Sequence, residues 1–443
     1  MKPFSFKFGT GLLNKMFKRK VFYGWYIVGA CLLISFYTSG IVNFGFTAAF
    51  EPIADEFGWS YAQISLAASI RGFEGGLLAP IMGIMVDRWG PRRLLFCGSI
   101  LIFAGFVLMS RVSSLAMFYG VFALIAIGRS TTTNTVTMTA VGNWFRRKIG
   151  ITTGIVASGV GLGGFLVPVV TGLIDSLQWR NAMLIVGFGM LVTVLPLSLL
   201  VRHKPEPYGY RPDGDESRTV EIQRFEISIE STDVSVSAVQ ALRTKAFWEM
   251  ALASLLFMFV TSALMVHVMP YFSSLGIARS VSSLVVLSLP VTSIFGRLGS
   301  GWLSDRLNRG HIFTVSFALM SVSLFLFEYM TPARIWLVAP FIITYGFGWG
   351  VFATTRISLL REYFGRGSLG KIFGFASGIM MIGSIAGAPL VGWVFDTWGS
   401  YQGAWLGSGA IVILAMFLTF SLHNRSINIQ LPDRSRTGTN NNR

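Results

Sequence analysis

Residues Gly83 to Arg93 read GIMVDRWGPRR, and 218 positions later Gly301 to Arg309 read GWLSDRLNR. Each copy closes a long apolar stretch with a glycine, an aspartate and a cluster of arginines. The echo extends beyond this pair. WFRRK (Trp144 to Lys148) has a counterpart in YFGRG (Tyr363 to Gly367), and Pro168, Gly172 and Asp175 have counterparts in Pro389, Gly392 and Asp396. Halves that repeat in the same order are related by an axis along the membrane normal in one known transport plan, with a binding site between them near the bilayer midplane.

The composition places these repeats in a bilayer. The chain has 443 residues, 53% hydrophobic and only 13% charged, with a mean hydropathy of +0.62, whereas soluble domains are about a quarter charged. Twelve segments are apolar enough to cross a core of about 30 Å as helices rising ~1.5 Å per residue. They lie near 23–49, 61–86, 94–111, 117–144, 149–174 and 180–201, then near 247–273, 281–304, 312–330, 335–360, 372–395 and 402–422. Open strands cannot satisfy their backbone groups in lipid. The expectation is an all-α membrane protein with twelve transmembrane helices in two six-helix pseudo-symmetric bundles.

Positive charge orients the spans. With the N-terminus cytoplasmic, the inner segments hold 28 of the 36 Lys and Arg, while the outer loops hold only Arg111, Arg180, Arg279 and Arg334. That bias places both termini in the cytoplasm of a cell-membrane protein. The expected divisions are a basic cytoplasmic N-terminus (1–22), a first bundle (23–201), a cytoplasmic linker (202–245), a second bundle (246–422) and a cytoplasmic tail (423–443). The linker mixes both signs of charge with little apolar material, so it reads as a solvated, partly disordered connector.

Several function classes drop out. The net charge of +16 is scattered between apolar segments rather than gathered on a soluble face, which argues against nucleic acid as a partner. Cys31 and Cys97 fall in apolar segments and offer neither a disulfide framework nor a metal site. No nucleophile with a base, metal cluster or phosphate loop stands at a workable spacing, so no enzyme and no cofactor is expected.

Four arginines remain inside apolar spans: Arg71, Arg129, Arg297 and Arg356, with Glu74 the carboxylate among them. An arginine at the centre of a span costs roughly 2.5 to 3.5 kcal/mol on insertion scales, so it ordinarily faces a polar cavity, a partner charge or a ligand. One glutamate cannot neutralise four guanidiniums. The excess positive charge points to a small anionic solute. Arg71 and Glu74 are three apart on one helix face, where they pair locally or Glu74 takes a proton and frees the arginine. Arg129 precedes Thr131 to Asn134, whose hydroxyls and amide are available to a cavity. Arg356 lies nearer the cytoplasmic end, within snorkelling reach. His267 is either a titrating group or a hydrogen-bonded interface residue. Tyr37, Asn43, Tyr345 and Trp349 are candidate cavity walls.

These residues resemble the major facilitator superfamily over residues 20 to 425 or so. Gly83, Asp87, Arg88, Gly90, Arg92 and Arg93 match its loop signature, and Gly301, Asp305 and Arg306 form a weaker copy. The resemblance implies a gating role for Asp87, Arg88, Asp305 and Arg306, with Arg356 added from its position. Within the superfamily, WFRRKIGITTGIVASG (Trp144 to Gly159) and SIFGR (Ser293 to Arg297) are similar to the monocarboxylate transporter and oxalate:formate antiporter branch. That likeness places Arg297 on the branch's carboxylate-binding arginine, with Ser293 where animal members carry an aspartate. The implied function is proton-coupled symport of a small monocarboxylate, lactate-like, by a monomer. Substrate would meet Arg297, Arg129, Arg71, Tyr37, Asn43, Ser293, Tyr345 and Trp349, and protons Glu74 and His267. Organic-anion exchange without protons, of the oxalate/formate kind, is the alternative. A transport-dead sensor would need an output module larger than this linker.

Overall fold

A computed structural model describes residues 22–70, 72, 78–132, 134–214, 238–304, 306–365 and 369–420. Arg71, Glu74 and Asp305 therefore lie outside the described residues, as do 215–237 and 421–443. The described chain is helical, and nine stretches are long and apolar enough to cross a membrane. Three further passages complete the set. Ile149–Leu200 is one helical stretch that reverses at Gln178 and so crosses twice, Ala404–Phe420 is shorter, and the second span runs as Tyr61–Ile70 and Ala79–Trp89.

The first span illustrates how sequence sets these elements. Tyr23–Thr38 passes into a π-helical turn, Ser39–Phe44, and resumes as Phe46–Phe57. It outruns its apolar window because helix geometry continues past the point where Glu51, Asp55 and Glu56 make the sequence polar. Gly58 stops it at φ 64°, with its N–H bonded to Ala54 O at 2.8 Å. Spans three and four are Pro91–Met109 and Leu115–Trp144. The second half supplies Lys245–Ser274, Arg279–Ser304, Arg309–Glu328, Pro332–Phe364 and Gly370–Trp398 as spans seven to eleven, and Ala404–Phe420 as span twelve.

Gln178 adopts φ 66° without being glycine. That strain is held by its neighbours. Glu56 accepts from Trp179 Nε1 at 2.6 Å and from Arg180 Nε and Nη2 at 3.0 and 2.6 Å, while the same guanidinium reaches Ser110 O and Val112 O. The reversal is thereby tied to the ends of spans one and three.

The two bundles meet along spans two with eleven, five with eight and one with seven. Small residues allow the backbones to touch. A Cβ on Gly161 would lie 3.0 Å from Pro290 O, and one on Gly164 would lie 2.7 Å from Leu287 O, both on the eighth span. Within the first bundle Gly159 and Gly163 bring span five against Leu32 O and Gly40 of span one, whereas Gly154 faces open space.

Residues 202–214 depart from the solvated connector expected of them. Arg202 lies 4.1 Å over both the Tyr23 and Tyr208 rings, and Tyr210 packs against Phe22, Tyr23 and Trp144. Asp213 accepts from the backbone amides of Arg146 and Arg147 at 2.9 Å, just before the fifth span. Burial pushes its carboxyl up, but these amides, with Lys148, prevail and hold it below the ordinary carboxylate value. The apolar content missing from the linker is borrowed from the bundle's aromatic rim.

Candidate functional site

A cavity of about 210 Å³ lies between the bundles. One side is formed by Asn43, Phe44, Ser69, Arg129 and Val160 of the first bundle, and the other by Ser262, Met265, Trp349 and Ser384 of the second. Asn43 and Phe44 reach it from the π turn, where Gly45 N bonds back five residues to Gly40 O at 2.8 Å. Such single turns interrupt α-helices frequently at functional sites. Phe44 meets Trp349 edge to face across the bundles at 6.5 Å.

Arg129 enters from the last residues of Leu115–Ser130. The hydroxyls expected beside it are engaged differently. Ser130, Thr131 and Thr132 donate to Ile127 O, Gly128 O and Arg129 O of their own helix, all three residues being buried. Back-bonding of this kind bends helices, and here the fourth span is interrupted before it resumes at Asn134.

Arg297 does not line this cavity but stands beside it. Pro290 and Ile294 of the eighth span contact Gly161, and three- and seven-residue steps carry that face on to Arg297, one turn nearer the motif loops. Its Nε is buried with no hydrogen-bond partner. Leaving a buried guanidinium N–H unmatched costs on the order of 1 to 3 kcal/mol or more, so an acceptor brought to this nitrogen would be favoured.

Other anticipated walls sit elsewhere. Tyr37 donates to Val186 O of the sixth span at 2.9 Å and is absorbed in the first bundle. Ser293 is fully buried and donates to Pro290 O at 2.6 Å, and Tyr345 is fully buried behind Trp349, ring centroids 6.3 Å apart. Arg356 is buried between spans ten and eleven, against the Met380 sulfur and 4.6 Å over the Phe373 ring. Of the loop residues, Arg306 stacks on Trp302 at 4.2 Å, and Arg309 pairs with Glu362 at 3.2 Å within the second bundle.

Among the described residues, hydrogen bonds that cross between the bundles are found in the half away from the motif loops. Thr47 donates to Val266 O at 2.9 Å, and Arg279 binds Asp175, Glu51 and Ala48 O. His267 is the hub. Its Nε2 lies 2.9 Å from both Ala388 O and Ser65 Oγ, and its Nδ1 lies 3.0 Å from Tyr401 O–H. A carbonyl can only accept, so Nε2 carries the proton, shared between Ala388 O and Ser65, and Nδ1 accepts from Tyr401. The neutral ring satisfies every partner. The interface reading of this histidine therefore describes its geometry better than that of an open proton acceptor.

The cavity walls Ser69, Val160, Ser262, Met265 and Ser384 were not anticipated. They are the small or flexible residues that any apolar span carries, and only the bundle geometry sets them apart.

Comparisons with known proteins agree with this architecture. The sequence model of the Major Facilitator Superfamily matches residues 28–359 and, in an overlapping match, 271–437. Monocarboxylate transporter 12 of Mus musculus is 27% identical over 414 residues, 89% of this chain and 84% of the relative. The oxalate:formate antiporter of Oxalobacter formigenes is 24% identical, covering 93% and 92%. A bacterial homologue of the human lysosomal transporter Spinster, solved in an inward-facing and occupied conformation, superposes with a TM-score of 0.68 at 15% identity, over 90% of this chain and 97% of that one.

Proposed function

The chain belongs to the Major Facilitator Superfamily, and from that membership we propose that it moves small organic anions across a cell membrane by alternating access, as symport of a lactate-like monocarboxylate with a proton. It is a multi-pass membrane transporter with the repeat plan of its superfamily. The anion assignment is supported by the names of its relatives, which carry monocarboxylates or exchange oxalate for formate. One observation carries it within this chain: Arg297 has a buried Nε without a hydrogen-bond partner, on a span whose Pro290 and Ile294 meet the other bundle at Gly161.

The planar fork of Arg297 suits a bidentate carboxylate. Arg129 adds positive charge from the opposite bundle, Asn43 an amide, and the Phe44–Trp349 pair an apolar wall. A space of about 210 Å³ admits a small acid and excludes a bulky one. Positive-inside bias places the motif loops in the cytoplasm, so the sealed half is outward and the structure corresponds to an inward-facing state. Asp87, Arg88, Asp305, Arg306 and Arg356 then belong to the cytoplasmic gate. Glu74, two positions from the cavity residue Gly72, takes the proton and releases Arg71 to the anion, so that each ligand strengthens binding of the other.

In proteoliposomes, lactate uptake should rise with an inward proton gradient and vanish in Arg297→Ala. Saturable uptake that persists in that variant refutes the assignment. The His267 geometry favours a second reading, proton-independent exchange, because the histidine's nitrogens are already engaged as a neutral ring. Counterflow indifferent to pH would select it.

A further inference from the structure

The repeat pairs two aspartates for which the transport reading has no use. Asp175 ends the fifth span and Asp396 the eleventh, and in the structure both reach across the bundle interface. Asp396 accepts hydrogen bonds from the backbone amides of Tyr61 and Ala62, each at 2.8 Å. Asp175 accepts from Arg279 Nε at 3.0 Å. Tyr61 and Arg279 are the first residues of Tyr61–Ile70 and Arg279–Ser304, and they stand 218 positions apart, the offset that relates the two motif copies. The two contacts occupy equivalent places in the repeat.

The accounting at the second span shows what this interaction does. A helix begins with four amides that have no partner within it. Ser60 and Gln63 form a capping box: Gln63 N donates to Ser60 Oγ at 3.2 Å, and Ser60 N donates to Gln63 Oε1 at 3.0 Å. Ile64 N bonds Ser60 O at 3.1 Å. Only the amides of Tyr61 and Ala62 remain, and Asp396 takes both from the other bundle. Its charge also meets the positive end of the helix dipole. Gly392, one turn earlier, permits the approach, since a Cβ there would lie 2.8 Å from Ala62 N; Tyr61 stacks on Phe395 at 4.4 Å. Within the protein, this helix start finds all its partners while the bundles are closed at this end, and opening hands the two amides to water.

The second copy differs in chemistry. Arg279 also holds Ala48 O at 2.7 Å and Glu51 Oε2 at 3.4 Å, so its hold on the first bundle survives loss of Asp175. The amides that Asp396 serves have no second partner among the hydrogen bonds of the described residues.

We propose that Asp396 and Asp175 are paired latches that hold the outward gate shut, and that Asp396 is the stricter of the two. The inference borrows its outward direction from the proposed orientation but is independent of which solute is carried.

The test is labelling of Ser384→Cys, in the cavity wall, by a membrane-impermeant maleimide added outside intact cells, with labelling from inside-out vesicles as the check on orientation. Asp396→Ala should speed external labelling roughly tenfold, the change given by about 1.4 kcal/mol in the closing equilibrium. Asp175→Ala should speed it less. Ser60→Ala, which removes the span's own cap and leaves the cross-bundle bonds, should not change it. If Asp396→Ala fails to reach the membrane, Asp396→Asn, which keeps one acceptor oxygen, replaces it, with an intermediate rate expected. Parental labelling from both faces in the Asp396 variant that reaches the membrane overturns the proposal. So does equal acceleration by Ser60→Ala, because the aspartate would then only stabilise its neighbour helix. Faster labelling from the inside face alone would instead indict the orientation and leave the latch standing.

Discussion

Replacing Gly164 by alanine should prise the fifth span from the eighth. The added Cβ would sit 2.7 Å from Leu287 O, 2.8 Å from Pro290 Cγ and 3.2 Å from Leu287 Cα. Ordinary contact begins at 3.4 Å, so the backbones must separate by 3.4 − 2.7 = 0.7 Å, and a main-chain carbonyl has no rotamer by which to yield. Overpacking of this kind costs typically 1 to 3 kcal/mol, and at about 1.4 kcal/mol per decade the closed arrangement loses roughly 5- to 150-fold in population. Spin labels at the exposed positions Leu177 and Leu284, on the outer parts of the two spans, would report the separation by pulsed dipolar spectroscopy. The distance distribution should shift to longer values. Gly154→Ala, on the same span but facing open space, is the matched control and should leave it unmoved. An unchanged distribution in Gly164→Ala, or an equal shift in Gly154→Ala, would show that close backbone contact does not set the state.

Two further outcomes follow from polar groups outside the cavity. Asp213→Ala should destabilise the first bundle by about 1 kcal/mol, the scale of a lost helix cap, measured as a lower urea midpoint at neutral pH. Because its folded pKa is depressed, wild type keeps this contribution at neutral pH and loses it only as pH falls below the ordinary value of 3.8, where the variant and wild type should converge; a gap that closes already between pH 7 and 5 would contradict the cap. Tyr401→Phe removes the donor to His267 Nδ1. Stranding that buried nitrogen should cost about 1 to 3 kcal/mol, read from thermal unfolding in detergent, and a loss below measurement would show that water already serves the ring.

Much of the fold was legible because hydropathy and loop charge respond to the bilayer rather than to tertiary detail. The twelve passages and the repeat emerge from windows and motifs alone. Interruptions inside spans were not legible. Nothing in SGIVNF marks a π turn, and nothing near Gln178 in sequence marks a positive φ, since Glu56, which binds the adjacent Trp179 and Arg180, lies over 120 residues away. Of the expected substrate contacts, Arg129, Asn43 and Trp349 line the cavity between the bundles, since a polar or large residue at midplane has few outlets. Tyr37, an expected wall, and Ser293, an expected substrate contact, do not line this cavity for the converse reason: a hydroxyl in a span finds a neighbouring carbonyl readily, and sequence does not reveal which. The aspartate latches show the same limit. The repeat singled out Asp396, but its partner lies 335 residues away.

The most direct measurement is calorimetric binding of lactate and of its neutral amide to purified protein, in wild type and in Arg297→Lys, at one pH. Recognition by a cationic fork requires that the acid bind, that the amide not bind, and that lysine, which keeps the charge and loses the paired donors, weaken the acid at least tenfold. Equal affinity for acid and amide, or undiminished binding in Arg297→Lys, would remove the arginine from the centre of the account.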